Sequence, residues 1–274
     1  MSTIFSWKVE DFDYLLESCD TDPLNSYILK YFTRSGSILE AGCGSGRYVK
    51  YLHDRGYDCA GIEYNARTVE DAKNKWPELQ IIEGDVEQMP YPDNTFKGMI
   101  SIGVIEHFEE GPEKVLAEMR RVLAPGGIAL ITVPCLNWLR RLKGPFCGIS
   151  HVIRANPLIR KALGKKELKH WGWNLCNSRY RYHVYPEWGD FYEYRFTPNR
   201  FKEILWQARF EILESVPIHQ TDGLYHEFGR LFAKYVNYKF VVYPHGRIMN
   251  RLFSRILFFH NHMHLCVVRK KGND

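Results

Sequence analysis

Three glycines between an apolar run and a helix-like segment constrain the fold of this chain most strongly. They are Gly42, Gly44 and Gly46, within the stretch ILEAGCGSGRYVKYL from Ile38 to Leu52. Glycine permits backbone conformations that other residues avoid, and it lets a ligand come close to the main chain. A helix that begins directly after such a turn presents unpaired N–H groups. The stretch therefore predicts a strand, a turn and a helix that together hold a nucleotide.

Strand and helix signals alternate around this turn. Apolar runs predict strands at 37–40, 57–63, 79–82, 96–103, 128–133, 211–216 and 264–269. Helical spacing and capping residues predict helices at 24–32, 47–56, 66–75 and 112–123 and within 196–210, with a turn at 124–127. Regular alternation of this kind indicates an α/β fold with a parallel, doubly wound sheet.

The alternation is interrupted twice. Residues 134–194 are rich in tryptophan, tyrosine and basic residues, and residues 217–262 contain a basic amphipathic segment at 246–259. We expect a single domain over 1–274, in which 134–194 is an inserted aromatic and basic lid and 217–262 a second, helical insertion. A basic amphipathic helix lies on an anionic membrane or folds back onto its own domain.

Charge is unevenly distributed along the chain. Residues 1–135 hold 13 Lys and Arg against 22 Asp and Glu, whereas 136–183 hold 11 against 1 and 218–274 hold 9 against 3. Such basic segments are either solvated surface or a surface that meets an anionic substrate, a membrane or RNA. The seven cysteines are scattered and lack zinc spacing, which favours reduced thiols in a cytoplasmic protein. The N-terminus does not resemble a signal peptide, and no apolar run reaches the roughly 20 residues that span a bilayer. We therefore expect a cytoplasmic protein.

Three carboxylates indicate which nucleotide the turn holds. Glu63 ends the second predicted strand, where an acidic side chain can accept hydrogen bonds from both hydroxyls of a ribose, as NAD and S-adenosylmethionine both require. Glu40 precedes the first glycine, where a carboxylate repels a pyrophosphate but suits a cationic amino group. The single-residue glycine spacing also differs from the dinucleotide fingerprint. Asp85, after the third strand, can accept a hydrogen bond from an adenine amino group.

With the segments EGDVEQMP, GVIEHF and RVLAPGGIALITVP, these motifs resemble the class I S-adenosylmethionine-dependent methyltransferases, in particular the methyltransferase type 11 group with the ubiquinone and menaquinone methyltransferases. The resemblance covers about 35–135 and 194–212 and implies a seven-stranded Rossmann-like sheet with an antiparallel last strand. It also implies a site for S-adenosylmethionine, with S-adenosylhomocysteine as product, formed by Glu40, Gly42, Gly44, Gly46, Glu63, Tyr64, Asp85, Val86, Ile102 and Gly103.

The resemblance also locates candidates for the chemistry. Methyl transfer from a sulfonium is an in-line displacement, in which the protein mainly aligns donor and acceptor. A base is useful where the acceptor is a hydroxyl. His107, with Glu106 beside it, follows the fourth strand at the expected mouth of the active site, although both residues also suit a purely structural role in that loop.

The sequence predicts no bound metal. Gly103 stands where the ubiquinone-type O-methyltransferases carry a glutamate that helps to hold a metal. His260, His262 and His264 alternate in the manner of a strand edge, and such alternation sends neighbouring side chains to opposite faces.

The acceptor is less constrained than the donor. We expect a methyltransferase that acts on an oxygen or nitrogen of a small molecule, such as an aromatic, lipid-like or sugar metabolite, and its lid offers the following side chains for an anionic group or for weaker catalytic roles: Arg179, Arg181, His183, Tyr185, Tyr192 and Arg195. Basic segments mixed with aromatics also suit a tRNA or rRNA methyltransferase. A NAD-dependent oxidoreductase and a non-catalytic cofactor-binding module are alternatives of another class.

Overall fold

The computed structural model describes residues 5–143, 156–164, 181–184 and 191–272. Its helices are α1 (Phe12–Cys19), α2 (Leu24–Tyr31), α3 (Arg47–His53), α4 (Ala66–Lys75), α5 (Glu113–Val122), α6 (138–143), α7 (Pro157–Ala162), α8 (Pro198–Gln207), α9 (Gln220–Phe228) and α10 (Pro244–Phe253). Its strands are β1 (Ile38–Ala41), β2 (Cys59–Glu63), β3 (Gln80–Glu83), β4 (Phe96–Ile102), β5 (Leu123–Pro134), β6 (Arg181–Val184), β7 (Phe191–Arg195), β8 (Phe210–Ile218), β9 (Ala233–Val236), β10 (Lys239–Val242) and β11 (Met263–Lys270).

Local capping signals set several helix starts where the sequence predicts them. The side chain of Asn65 accepts a hydrogen bond from the Thr68 N–H at the start of α4, at 3.1 Å. Thr197 accepts one from the Arg200 N–H at the start of α8, where Pro198 occupies the first turn. Each cap satisfies an N–H group that has no partner inside the helix.

The central sheet has seven strands in the order β3-β2-β1-β4-β5-β11-β8. Strands β1 to β5 pair in parallel, and β11 pairs antiparallel with both β5 and β8. The predicted fold class, including an antiparallel last strand beside 211–216, is confirmed. Strand order reverses direction at β1 and β4, and ligands of open α/β sheets bind beyond the strand ends at such a point.

Helices cover both faces of the sheet. On one face the core contains residues of α5 and α8, such as Leu116, Met119 and Phe201, all fully buried. The other face buries residues of α1 to α4, such as Phe12 and Tyr48. Burial of apolar area on both faces explains why the inner strands read as nearly continuous apolar runs.

Two elements differ from the sequence-based expectations. The segment 124–127, predicted as a turn, lies inside β5 and interrupts the pairing of β5 with β4. Leu123 pairs with Phe96, whereas the next paired residue of β5 is Ile128, which pairs with Gly98. Gly126 has a φ of 77° in this irregularity, and glycine is the residue that such a bulge position favours. Helix α1 was not predicted, because its short apolar pattern lies in a strongly acidic segment.

The segment 217–262 contains α9, a hairpin of β9 and β10, and α10. The amphipathic pattern at 246–259 overestimates the helix, which ends at Phe253. Residues beyond it form successive turns, because the carbonyls of Phe258 and Phe259 accept hydrogen bonds from the N–H groups of Trp138 and Leu139.

Part of the predicted lid falls outside the described residues. Arg179 and Tyr185 lie there, and only the backbone is described for Arg181, His183 and Tyr192. Arg195 pairs with Glu193, at 2.9 Å. Among the residues described, no helix is both long enough and apolar enough to span a membrane.

Candidate functional site

The glycine turn joins β1 to α3 and needs glycine at three positions. Gly42, Gly44 and Gly46 have φ angles of 74°, 53° and 76°, a region that disfavours side chains. A Cβ at Gly42 would stand 2.6 Å from Val104 Cγ2, and one at Gly46 would stand 2.4 Å from Ile81 Cδ1. The turn is therefore a tightly packed backbone cradle, as the sequence indicated.

Glu63 at the end of β2 faces this turn. Its Oε2 accepts a hydrogen bond from the Gly44 N–H at 2.9 Å, and its Oε1 accepts one from the Asn65 N–H at 2.9 Å. Two backbone donors thus fix the carboxylate in one orientation. Each carboxylate oxygen has two lone pairs, so Glu63 can still accept hydrogen bonds from the hydroxyls of a ribose.

Glu40, the third residue of β1, is a buried carboxyl at the floor of the site. Only 4% of it is exposed, and its Oε2 accepts a hydrogen bond from the Val49 N–H at 3.2 Å. Burial raises the pKa of Glu40 to about 8, against the opposing charge of Arg47. A carboxyl in this state gains most from a ligand that brings its own positive charge.

A single cavity connects the predicted cofactor residues. The predicted residues in its lining are Glu40, Gly42, Gly44, Glu63, Tyr64, Asp85, Val86, Ile102 and Gly103. Asp85 is held by a hydrogen bond from the Glu87 N–H to its Oδ1, at 2.9 Å. Val86 is buried whereas Tyr64 is 43% exposed, so the tyrosine ring stands at the rim. Nine of the ten residues predicted for the cofactor thus line one cavity, and Gly46 belongs to the turn without lining it.

Glu106 and His107 lie in a short 3-10 turn that follows β4. His107 lines the cavity and is 5% exposed, whereas Glu106 is 1% exposed and packs beside Gly103. The His107 Nε2 and Glu106 Oε1 atoms are 3.8 Å apart. Burial raises the pKa of Glu106 well above its usual range, which favours its protonated form. Of the two predicted catalytic residues, His107 lines the cavity and Glu106 does not, so His107 is the candidate for a base.

Seven cavity residues were not predicted: Phe5, Trp7, Leu15, Cys43, Ser45, Arg47 and Val104. The Phe5 carbonyl accepts a hydrogen bond from the Asn65 side chain at 2.7 Å, and its ring packs edge-on against His107 with centroids 4.8 Å apart. The Trp7 indole covers Gly44 so closely that a Cβ there would stand 2.7 Å from Nε1. Arg47 follows Gly46 directly, and its adjacency to the turn is the signal that sequence reasoning passed over.

The three alternating histidines bind different partners. His260 contacts Asn250 at 2.8 Å, His262 contacts Arg140 at 2.8 Å, and His264 contacts Ser215 at 2.9 Å. Burial lowers the pKa of His260 to about 4 and that of His264 to about 3. In the described part of the chain, a possible metal-holding group is the exposed cluster His53, Asp54 and Glu78, away from the cavity. The expectation that no metal is bound remains a prediction.

The residues of the cavity fit an adenosine-linked cation. An oriented carboxylate at Glu63 suits the ribose, and the buried carboxyl of Glu40 suits an ammonium group.

Comparisons with known proteins agree with this geometry. The family described as "Methyltransferase domain" matches residues 39–131. A probable S-adenosylmethionine-dependent methyltransferase of Mycolicibacterium smegmatis is 33% identical over 97 residues, 35% of this chain and 37% of its own length. Probable tRNA methyltransferase 9B of Mus musculus is 38% identical over 103 residues, which are 36% of this chain and 22% of that protein. Demethylmenaquinone methyltransferase of Renibacterium salmoninarum is 30% identical over 125 residues, which are 44% of this chain and 50% of that protein. The chain spans half or less of the length of each of these relatives.

A solved structure shows the same fold over nearly the whole chain. The S-adenosylmethionine-dependent methyltransferase from Methanosarcina mazei superposes with a TM-score of 0.57 at 16% identity, covering 90% of this chain and 98% of that protein. At this identity the match concerns the fold alone, while the family match over 39–131 covers the glycine turn, Glu63 and Asp85. The cofactor of this family is S-adenosylmethionine, in agreement with the prediction and against NAD. Residues 39–131 thus match a methyltransferase domain, and the predicted resemblance to the class I S-adenosylmethionine-dependent methyltransferases is confirmed.

Proposed function

We propose that this protein transfers a methyl group from S-adenosylmethionine to an oxygen or nitrogen atom of a small-molecule acceptor. The observation that carries the proposal is the continuous cavity from the glycine turn and Glu63 to His107. This cavity supports the proposal because the residues expected to bind the donor and the candidate base His107 line the same enclosure. The acceptor class includes aromatic, lipid-like and sugar metabolites.

The protein contributes binding and alignment to this reaction. The bound cofactor supplies an activated methyl group, and an in-line displacement needs mainly the correct alignment of donor and acceptor. Glu63, oriented by the N–H groups of Gly44 and Asn65, binds the ribose, and Glu40 faces the amino group. Asp85 and Val86 accommodate the adenine beside Tyr64. Phe5 and Trp7 exclude water from the cavity.

His107 takes the proton of a hydroxyl acceptor. It lines the cavity just after Gly103, at the carboxyl end of β4. A general base has to lie within hydrogen-bond reach of the proton that it removes, and His107 is the imidazole at the cavity wall. The buried side chain of Glu106 packs beside Gly103 in the same turn and acts as a positioning residue.

A screen with methyl-labelled cofactor against pools of metabolites tests the function. The wild-type protein should label a small-molecule fraction. His107→Asn should lose about 100-fold or more in turnover on a hydroxyl acceptor, within the range for general-base catalysis, with unchanged affinity for S-adenosylhomocysteine. His53→Asn, an exposed histidine outside the cavity, is the matched control. Full turnover by His107→Asn would remove the base from the proposal.

An RNA methyltransferase is the second candidate. It is supported by the similarity to a relative named as a probable tRNA methyltransferase and by the basic segments of the chain. The same labelled-cofactor assay with total tRNA and rRNA separates the two candidates. Label in RNA, with binding that weakens steeply as salt is raised, would favour this candidate over a small-molecule acceptor.

A further inference from the structure

The outer side of α10 and the turn after it form an exposed apolar and basic surface. We call it the α10 surface, and its members are Arg230, Leu231, Arg247, Ile248, Arg251, Leu252, Arg255, Ile256 and Leu257, all exposed. The exposed fractions of Ile248, Leu252, Ile256 and Leu257 are 63%, 46%, 54% and 61%. Exposed aliphatic residues are ordinary when single, but a group of them marks an interaction site.

Packing of the other side of α10 fixes this outward orientation. Gly246 is buried against the Phe232 carbonyl, where a Cβ would stand 2.2 Å from the oxygen. The Phe253 ring stacks on Phe228, with centroids 5.6 Å apart. His245 contacts the Leu231 carbonyl at 2.8 Å. The helix therefore cannot rotate to bury Ile248 and Leu252 without losing these contacts.

The charges of the α10 surface have one sign. After Glu227 the sequence contains no acidic residue before Asp274. Arg247, Arg251 and Arg255 are exposed and form no ion pair with any residue that the structure describes. A second copy of the chain would bring the same arginines against these, which disfavours self-association through this surface.

Trp138 extends the α10 surface towards the cofactor site. It is 49% exposed, and the Arg141 guanidinium lies 4.6 Å from the centre of its ring. The backbone N–H of Trp138 donates a hydrogen bond to the carbonyl of Phe258, the neighbour of Leu257, at 2.9 Å. Trp138 follows β5 at the edge of the sheet where the parallel strands end, which is also the edge of the cavity. Tryptophan beside arginine is typical of residues at a membrane–water interface.

We infer that the α10 surface docks the protein on a membrane that contains anionic phospholipid. Aliphatic side chains flanked by arginines bind such a surface by entering the acyl boundary while the guanidinium groups remain among the head groups. RNA fits less well, because single strands are bound by stacking of successive bases on aromatic rings, and apart from Trp138 the exposed apolar residues of this surface are Ile and Leu. The inference is independent of the identity of the methyl acceptor.

Vesicle flotation with purified protein tests the inference. Vesicles of phosphatidylcholine alone are compared with vesicles that also contain phosphatidylglycerol, at low and high salt. The charge variant is Arg247→Gln with Arg251→Gln, and the apolar variant is Ile248→Ser with Leu252→Ser. Matched controls are Arg67→Gln and Leu29→Ser, whose side chains are exposed on other helices. Thermal melting of every variant verifies that it is folded.

We expect the wild type to float with anionic vesicles and not with phosphatidylcholine alone. Each arginine contributes about fivefold to partition near an anionic surface, so the charge variant should lose roughly 25-fold. The apolar variant should lose about tenfold or more, and the controls should match the wild type. A fluorescent single-stranded RNA is tested in parallel. The inference would be overturned if the wild type did not float with anionic vesicles, or if the controls lost as much flotation as the variants. It would also be overturned if the apolar variant floated normally while the charge variant lost only RNA binding.

Discussion

Glu40 allows a quantitative prediction, because a buried neutral carboxyl releases its proton to the solvent when a cationic ligand binds beside it. Burial raises its pKa to about 8, so roughly a tenth of the carboxyls are ionised at pH 7, and forming the carboxylate costs about 1–2 kcal/mol. The ammonium group of a bound methionine moiety favours the carboxylate. Affinity for S-adenosylhomocysteine should therefore rise with pH, by up to about tenfold per unit, and level off above about pH 8.

Isothermal titration calorimetry at several pH values, in two buffers of different ionisation enthalpy, measures both the affinity and the proton released. Glu40→Gln keeps the shape of the neutral carboxyl and the Val49 contact, but it cannot ionise. It should bind S-adenosylhomocysteine more weakly than the wild type at pH 8 and lose the rise with pH. A rise of the same slope in Glu40→Gln, or binding by the wild type without proton release, would refute the reasoning.

The same carboxyl also affects the stability of the free protein. Its pKa of about 8 exceeds the ordinary value of 4.5, so between these values the folded state holds a proton that the unfolded chain has released. The contribution of Glu40 to the free energy of unfolding is therefore complete below about pH 4.5 and is lost as the pH rises towards 8. Urea denaturation of the wild type and of Glu40→Gln over this range should show the difference.

Three further predictions follow from the site and its supports. Glu63→Ala should weaken S-adenosylhomocysteine binding about 10- to 100-fold, the effect of losing hydrogen bonds to a charged group, while Glu83→Ala at the end of the adjacent strand should not; equal affinities in calorimetry would contradict this. Gly46→Ala should lower the free energy of unfolding by more than Gly56→Ala, because both positions have positive φ but only the first would clash, with Ile81, and urea denaturation of the pair isolates that clash. Asp22→Ala should cost about 3 kcal/mol of stability by leaving the partly buried His219 without its 3.1 Å partner, whereas a comparable loss in the exposed Asp20→Ala would argue against a specific pair.

Local sequence patterns were sufficient for the elements that carry the cofactor site. The glycine turn, the strand that ends at Glu63 and the helix capped by Asn65 are each specified within a few residues, by backbone freedom, periodicity and capping. Their order along the chain, with the family resemblance, was enough to predict the seven-stranded sheet and its antiparallel last strand. All the residues predicted for the cofactor except Gly46 line one cavity for this reason.

Contacts between distant segments decided what the local patterns left open. Phe5 and Trp7 enter the site only because the chain start crosses the glycine turn, and no periodicity encodes that crossing. Glu106 and His107 are neighbours in sequence but differ in role, because tertiary packing buries the first, which raises its pKa, and leaves the second on the cavity wall. Helix α10 ends at Phe253, where hydrogen bonds to α6 favour turns over the continued helix that its amphipathic pattern predicted. The sequence alone thus determined the donor site, whereas the tertiary structure decided how it is enclosed and which apolar residues face outward.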